Sequence, residues 1–238
     1  MTWLLDKNKK DSDNKVNYEN GKGAKSFLIL GLGFFGAELA VKLYELGAEV
    51  LAVDSNPQII ARIADKVTQA IELDPADDQA LESLDVSQYD VCVIARGSNL
   101  EDSVSIAISL RQLGAKRIIG RTVRRKHSEI LRKLGVEETI FPEVMVADHI
   151  AEKLVRPKIH DKMDFENGFV VETLFVLGNL EGLTHLELLK KIPKGVQLLG
   201  IKRDEDMITD FENCNITLQE NDFIVVYGKT ERIRELEK

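Results

Sequence analysis

The sequence predicts an α/β protein in which a doubly wound parallel sheet is followed by a small α+β lobe, and three observations carry that expectation. Strand-like and helix-like segments alternate with short connections from Lys25 to about residue 154. A glycine turn with Gly31, Gly33 and Gly36 joins the first strand to the first helix. Asp54 closes the second strand at the distance expected for a ribose-binding acid. Beyond a charged stretch at 155–164 the texture changes to β runs with short helices.

The elements follow in order. Apolar residues Phe27 to Leu30 read as a buried parallel strand, and the glycine turn then opens a helix over 37–46 that Gly47 ends. Residues 49–53 form the second strand. Pro57 stands where a first helical residue tolerates it, and Ile59, Ile60 and Ile63 make an apolar helix face. A short strand over 69–73 and a helix over 75–84 come next. The run Val91–Cys92–Val93–Ile94 lies in a continuous buried strand over 90–95, followed by a helix over 100–113. A fifth strand at 117–120, a helix at 126–134, a short strand at 139–141 and a helix at 143–154 complete six strand–helix units. Pro157 and a cluster of charges make 155–164 a predicted linker or hinge. The second lobe, 165–238, contains β runs at 169–177, 196–201 and 223–227, with the acidic turn Asp204–Glu205–Asp206 between the last two. Thr184 and Glu187 have capping-box spacing for a helix to Lys191, and 230–236 reads as a closing helix.

Composition narrows the function. The 238 residues suffice for one large domain or two modest ones, and 44% hydrophobic with 30% charged residues is a globular composition. A net charge of −8 argues against sequence-independent nucleic-acid binding, which needs a basic face. No apolar run approaches membrane-spanning length and no signal-peptide core is evident, so the chain reads as cytoplasmic. Residues 1–24 are polar and are expected to be a disordered tail, with Trp3 either a docking anchor or part of that tail. Cys92 and Cys214 fall in predicted buried strands and read as core residues, without disulfide or zinc spacing.

The candidate site is the crevice at the carboxyl ends of the strands, where strand order reverses. Gly31 permits the tight turn, Gly33 lets a pyrophosphate approach the backbone, and Gly36 lets the helix pack on the sheet. The amides at Gly33, Phe34, Phe35 and Gly36 then face the anion. Asp54 is placed to hydrogen-bond ribose hydroxyls. Asp74 can flank the adenine or ribose, although the turn Asp74–Pro75 accounts for an acid there nearly as well. After the fourth strand, Gly97, Ser98 and Asn99 follow Arg96, which either reaches a phosphate or is solvated; Arg121 points at the same edge. The run Arg124–Arg125–Lys126 reads as a solvated helix start. Catalytic constellations are missing: there is no G-x-S-x-G elbow and no Cys/His pair. His127, His149, His160 and His185 have no metal-ligand spacing. Nucleotide binding without chemistry is the better reading, and the chain is expected not to be an enzyme; the alternative is an NAD-dependent oxidoreductase.

From Lys25 to Lys238 the chain resembles the cytosolic regulatory subunits of Ktr/Trk-type potassium uptake systems. These join a Rossmann-like RCK N-terminal domain (regulator of potassium conductance) to a small RCK C-terminal domain. The matching segments are Gly31–Gly36, Leu51–Asp54, Ile130–Gly135, Phe141–Pro142–Glu143, Gly200–Arg203 and Asn221–Gly228. The resemblance implies a sensor rather than an enzyme: a homodimer assembling into a ring, usually an octamer, beneath a membrane-embedded potassium-translocating subunit. It places ribose and adenine at Asp54 and Asp74 and the phosphates at Gly33 and Arg121. Glu143 corresponds to an acid that helps hold a cation near the nucleotide in some relatives. Ile201 and Arg203 lie in a segment that binds cyclic di-AMP in others. One departure stands out. ATP-responsive relatives carry Arg after the second glycine, where this chain has Phe34, which weakens discrimination of ATP from ADP and leaves AMP and NAD(H) open.

Overall fold

A computed structural model of the protein describes residues 25–97, 99–211 and 216–237. The predicted N-terminal tail with Trp3, together with Ser98 and Cys214, lies outside the described residues. The chain divides into two compact units, the first ending at Val144 and the second starting at Met145.

The first unit alternates strand and helix throughout. Its elements are β1 (Ser26–Leu30), α1 (Phe34–Glu45), β2 (Glu49–Asp54), α2 (Pro57–Ile63), β3 (Gln69–Glu72), α3 (Asp78–Glu82), β4 (Val91–Ile94), α4 (Leu100–Gln112), β5 (Ile118–Arg121), α5 (Arg125–Lys133) and β6 (Glu138–Ile140). The strands form one parallel sheet in the order β3-β2-β1-β4-β5-β6, so the order reverses between β1 and β4. The central strands are apolar on both faces because helices cover both. Leu28, Leu30 and Ile94 enter one core with Leu81, Ile106 and Leu110 from α3 and α4. Ile29, Ala52 and Val93 enter the other with Ala40 of α1 and Ile63 of α2. Cys92 is wholly buried, as its strand position predicts, and burial pushes its thiol up to about 12.

Two boundaries differ from expectation for local reasons. Helix α1 begins at Phe34, directly on Gly33, instead of at residue 37. Helix α3 is shorter than predicted because Asp77 caps it, its Oδ1 accepting the amides of Gln79 and Ala80.

Helix α6 (Pro142–Val155) runs across the division between the units. The second unit continues with β7 (Ile159–Asp164), β8 (Phe169–Phe175), α7 (His185–Lys191), β9 (Gln197–Arg203), β10 (Asp206–Ile208), β11 (Phe223–Lys229) and α8 (Thr230–Ile233). Its strands make an antiparallel sheet in the order β10-β9-β11-β8-β7. The capping box at Thr184 and Glu187 forms as its spacing predicts.

The predicted linker is corrected in part. Residues 159–164 are the edge strand β7, and only Ile159 among them is buried. Its charged outward residues suit an edge strand and disguise it as a loop. Arg156, within the same stretch, is itself buried. Its guanidinium donates to Glu172 at 3.0 and 2.7 Å, to Glu237 through Nε at 2.9 Å, and to Glu152 at 3.4 Å. Burial works to lower the Arg156 pKa, but bonds to Glu172 and Glu237 outweigh it and raise it. The cluster ties the end of α6 to β8 and to the final turn of the chain. Residues 155–158 therefore do not read as a loose connection.

Candidate nucleotide crevice

The crevice is built by three loops that leave the carboxyl ends of β1, β2 and β4. Gly31 ends β1 with φ +95°, a conformation that disfavours any side chain, and its amide donates to Val53 O at 2.8 Å. Helix α1 then starts with no side-chain cap and no acid in its first turn. The first-turn amides of Phe34, Phe35 and Gly36 are thus open to an incoming acceptor. Gly36 is there for contact: an ideal Cβ would lie 2.0 Å from Gly31 O and 2.9 Å from Ala95 Cβ. At Gly33 the same atom would meet nothing within 4 Å. One glycine is filled by the protein, the other faces open space.

Asp54 is held at the end of β2 by two backbone donors. Its Oδ2 accepts from Leu32 N at 2.6 Å and its Oδ1 from Asn56 N at 2.9 Å. Each carboxylate oxygen keeps a second lone pair, so the group remains able to accept from a pair of hydroxyls. The clamp also ties the glycine turn to the β2–α2 loop. Phe34 is 89% exposed, whereas Phe35 packs against the core under α1.

Asp74 and Arg96, read separately in the sequence, are paired with each other. Arg96 Nη1 lies 3.0 Å from Asp74 Oδ1, and Nη2 lies 3.2 Å from Asp102 Oδ2. Asp102, in the first turn of α4, was not singled out by sequence; its only signal is an acid three residues after the N-cap Asn99. Gly97 makes room for Arg121, since a Cβ there would sit 3.1 Å from Arg121 Cγ. Arg121 pairs with Glu143 through Nη2, while its buried Nε has no partner among the described residues. The hydrogen bond from Arg121 holds the Glu143 carboxyl below the usual carboxylate range. Among the described residues no cluster of three His, Cys, Asp or Glu side chains could hold a metal ion.

In the second unit Arg203 makes a bidentate pair with Asp222 (Nε–Oδ1 2.8 Å, Nη2–Oδ2 2.6 Å) and also donates to Thr217 O. Burial works to raise the Asp222 carboxyl, but bonds from Arg203 and the Gln219 amide outweigh it and hold the group low. Ile201 is wholly buried and its strand is paired on both sides. The four histidines are scattered: His127 on α5, His149 on α6, His160 on β7 beside Phe175 and Phe223, and His185 buried on α7.

The fold is thus a doubly wound parallel sheet with this glycine turn and strand-end acid, followed by an antiparallel five-stranded lobe. Residues 27–142 match the TrkA-N domain model. The chain is also homologous to potassium uptake proteins over most of its length. It is 28% identical over 211 residues to Ktr system potassium uptake protein A of Vibrio alginolyticus, covering 89% of this chain and 96% of the relative. It is 27% identical over 214 residues to Ktr system potassium uptake protein C of Bacillus subtilis, covering 90% and 96%. Among solved structures, the GsuK RCK domain shares the fold with a TM-score of 0.60 and 17% identity, over 91% of this chain and 48% of that one. The GsuK channel structure bound to NAD has a TM-score of 0.58, and this chain spans 39% of it. Among the described residues no helix is long and apolar enough to cross a membrane.

Proposed function

We propose that this protein is the nucleotide-sensing regulatory subunit of a potassium uptake system, gating a membrane-embedded Ktr/Trk-type partner. The observation that supports the reading is an uncapped glycine turn beside the strand-end acid Asp54, on a chain similar to Ktr proteins over nine-tenths of its length. An adenine nucleotide lies with its ribose on Asp54 and its phosphates toward Gly33 and the first-turn amides of α1, with Arg121 at the far edge. The NAD named in the GsuK channel structure supports a dinucleotide-compatible pocket. A strand-end carboxylate favours a free 2′-hydroxyl over a 2′-phosphate. Phe34 supplies no charge to a γ-phosphate, so ATP and ADP bind within about tenfold of each other. Glu143 is the acid placed to meet a cation beside the phosphates, and to do so it must leave Arg121. The lobe around Ile201 and Arg203 is the place for a second ligand such as cyclic di-AMP. The subunit works as a homodimer within a ring, held at the cytoplasmic face of the membrane by its partner. Nucleotide shifts that assembly only through different affinity for its two states.

Calorimetry with ATP, ADP, AMP and NAD tests the crevice, and potassium uptake by cells lacking the protein tests the role. Micromolar-range binding that Asp54→Ala weakens by about 1.5–3 kcal/mol, with impaired uptake in the deletion strain, is the expected result. A protein that binds none of these nucleotides and whose loss leaves uptake unchanged contradicts the proposal.

A further inference from the structure

Resting on the crevice reading above, we propose that Arg96 is a phosphate-responsive strap, held by Asp74 and Asp102 across the crevice and drawn from them by nucleotide phosphates. Strands β4 and β3 are separated in the sheet by β1 and β2. Arg96 stands two residues beyond β4 and Asp74 two residues beyond β3, yet their side chains meet at 3.0 Å. The arginine must therefore run over the carboxyl ends of β1 and β2, where strand order reverses and where Asp54 stands. Its path lies on the glycine turn: an ideal Cβ at Gly31 would fall 2.4 Å from Arg96 Cγ. The stem of this side chain thus gives the first glycine a second reason to be glycine.

The restraints on the guanidinium are of a kind that a ligand can replace. Two carboxylates share one cation, and the side chains are 34% exposed for Arg96, 55% for Asp74 and 22% for Asp102. Ion pairs this open to water are weak. A diphosphate or triphosphate offers more charge and a geometry matched to the arginine fork. When the guanidinium turns to phosphate, Asp74 on the β3–α3 loop and Asp102 on α4 both lose their cation. The ligand's phosphate charge is thereby reported to two elements outside the glycine turn. Asp74 acts here as a holder of Arg96, a different task from binding ribose.

The test is calorimetry on the full-length protein with ADP and adenosine as probes. Arg96→Gln is expected to weaken ADP about tenfold while leaving adenosine unweakened, because only the phosphates are read by the strap. Asp74→Asn, at an exposed position, is expected to tighten ADP about threefold by freeing the guanidinium. Equal ADP affinity in the wild type and both variants overturns the strap and leaves the crevice reading standing. Adenosine losing as much affinity as ADP in Arg96→Gln also overturns it, since that marks a strut rather than a phosphate contact. A wild-type protein that binds neither probe overturns the strap and the crevice reading together.

Discussion

Gly33 and Gly36 sit three residues apart at the start of α1, yet adding a single methyl group to each should damage the protein in opposite ways. In Gly36→Ala the new Cβ would lie 2.0 Å from Gly31 O, a backbone atom that no rotamer change can move. Reaching even 3.0 Å demands a relative shift of about 1 Å between α1 and the turn, and Ala95 Cβ at 2.9 Å blocks part of the escape. Overpacking of this kind costs about 1–3 kcal/mol, partly offset by the roughly 1 kcal/mol that alanine gains over glycine in a helix. A net loss of stability of up to about 2 kcal/mol is expected, with distortion of the phosphate-facing amides. In Gly33→Ala the new Cβ meets nothing, and φ −59° suits any residue. Only the poorer capping of alanine counts against folding, at under about 1 kcal/mol. On the proposed reading the phosphates take the open space at Gly33, so the methyl competes with them and nucleotide affinity should fall at least about tenfold. Thermal melts at fixed protein concentration and ADP calorimetry on both variants separate the two effects. Gly36→Ala as stable as the wild type, or Gly33→Ala with undiminished ADP affinity, would refute this account of the turn.

Two further expectations concern the second unit. Arg156→Met leaves Glu172, which is 0% exposed, without its cation and should destabilise the unit by about 3–5 kcal/mol, read as faster amide hydrogen exchange in β8; replacing Glu172 by Leu in the same variant should recover much of the loss, and an Arg156→Met protein with unchanged exchange would contradict the cluster's role. Arg203→Met should show its cost at neutral pH and progressively less of it in acid: the Asp222 carboxyl is depressed in the folded state, so its contribution is present above the unfolded value of about 3.9 and disappears as pH falls through the folded one. Denaturant titrations of both proteins from pH 7 to pH 3 check this, and a difference that grows toward acid would reverse the sign argued here.

Most of the first unit was legible in the sequence because its signals are local. A parallel sheet covered on both faces demands continuous apolar strands such as Val91 to Ile94, and a glycine turn followed by a strand-end acid has few other uses. The capping box at Thr184 could be read for the same reason, since both partners lie within one helical turn. Helix α1 starting on Gly33 was harder to read, because propensity does not favour two phenylalanines as a first turn and only packing on the sheet settles it. Strand β7 was hidden as well: its outward side chains are charged and its pairing partner β8 is what makes it a strand. Pairing between distant residues was beyond the sequence altogether. Asp54 looks like a ribose ligand by its position, but its bond to the Leu32 amide belongs to the backbone and carries no residue signature. Arg96 and Asp74, 22 positions apart, meet only because parallel strands put the ends of β3 and β4 on one side of the sheet and the long arginine side chain spans the strands between them. Arg156 reads as one more charge beside a proline until the fold surrounds it with Glu152, Glu172 and Glu237. Periodicity and turn chemistry are properties of neighbouring residues, so the sequence by itself determined most element types and the position of the glycine turn and its strand-end acid. Charge pairing depends on which strand ends and helix ends converge, so only the tertiary structure decided which cations at the crevice are already held, and by which acids.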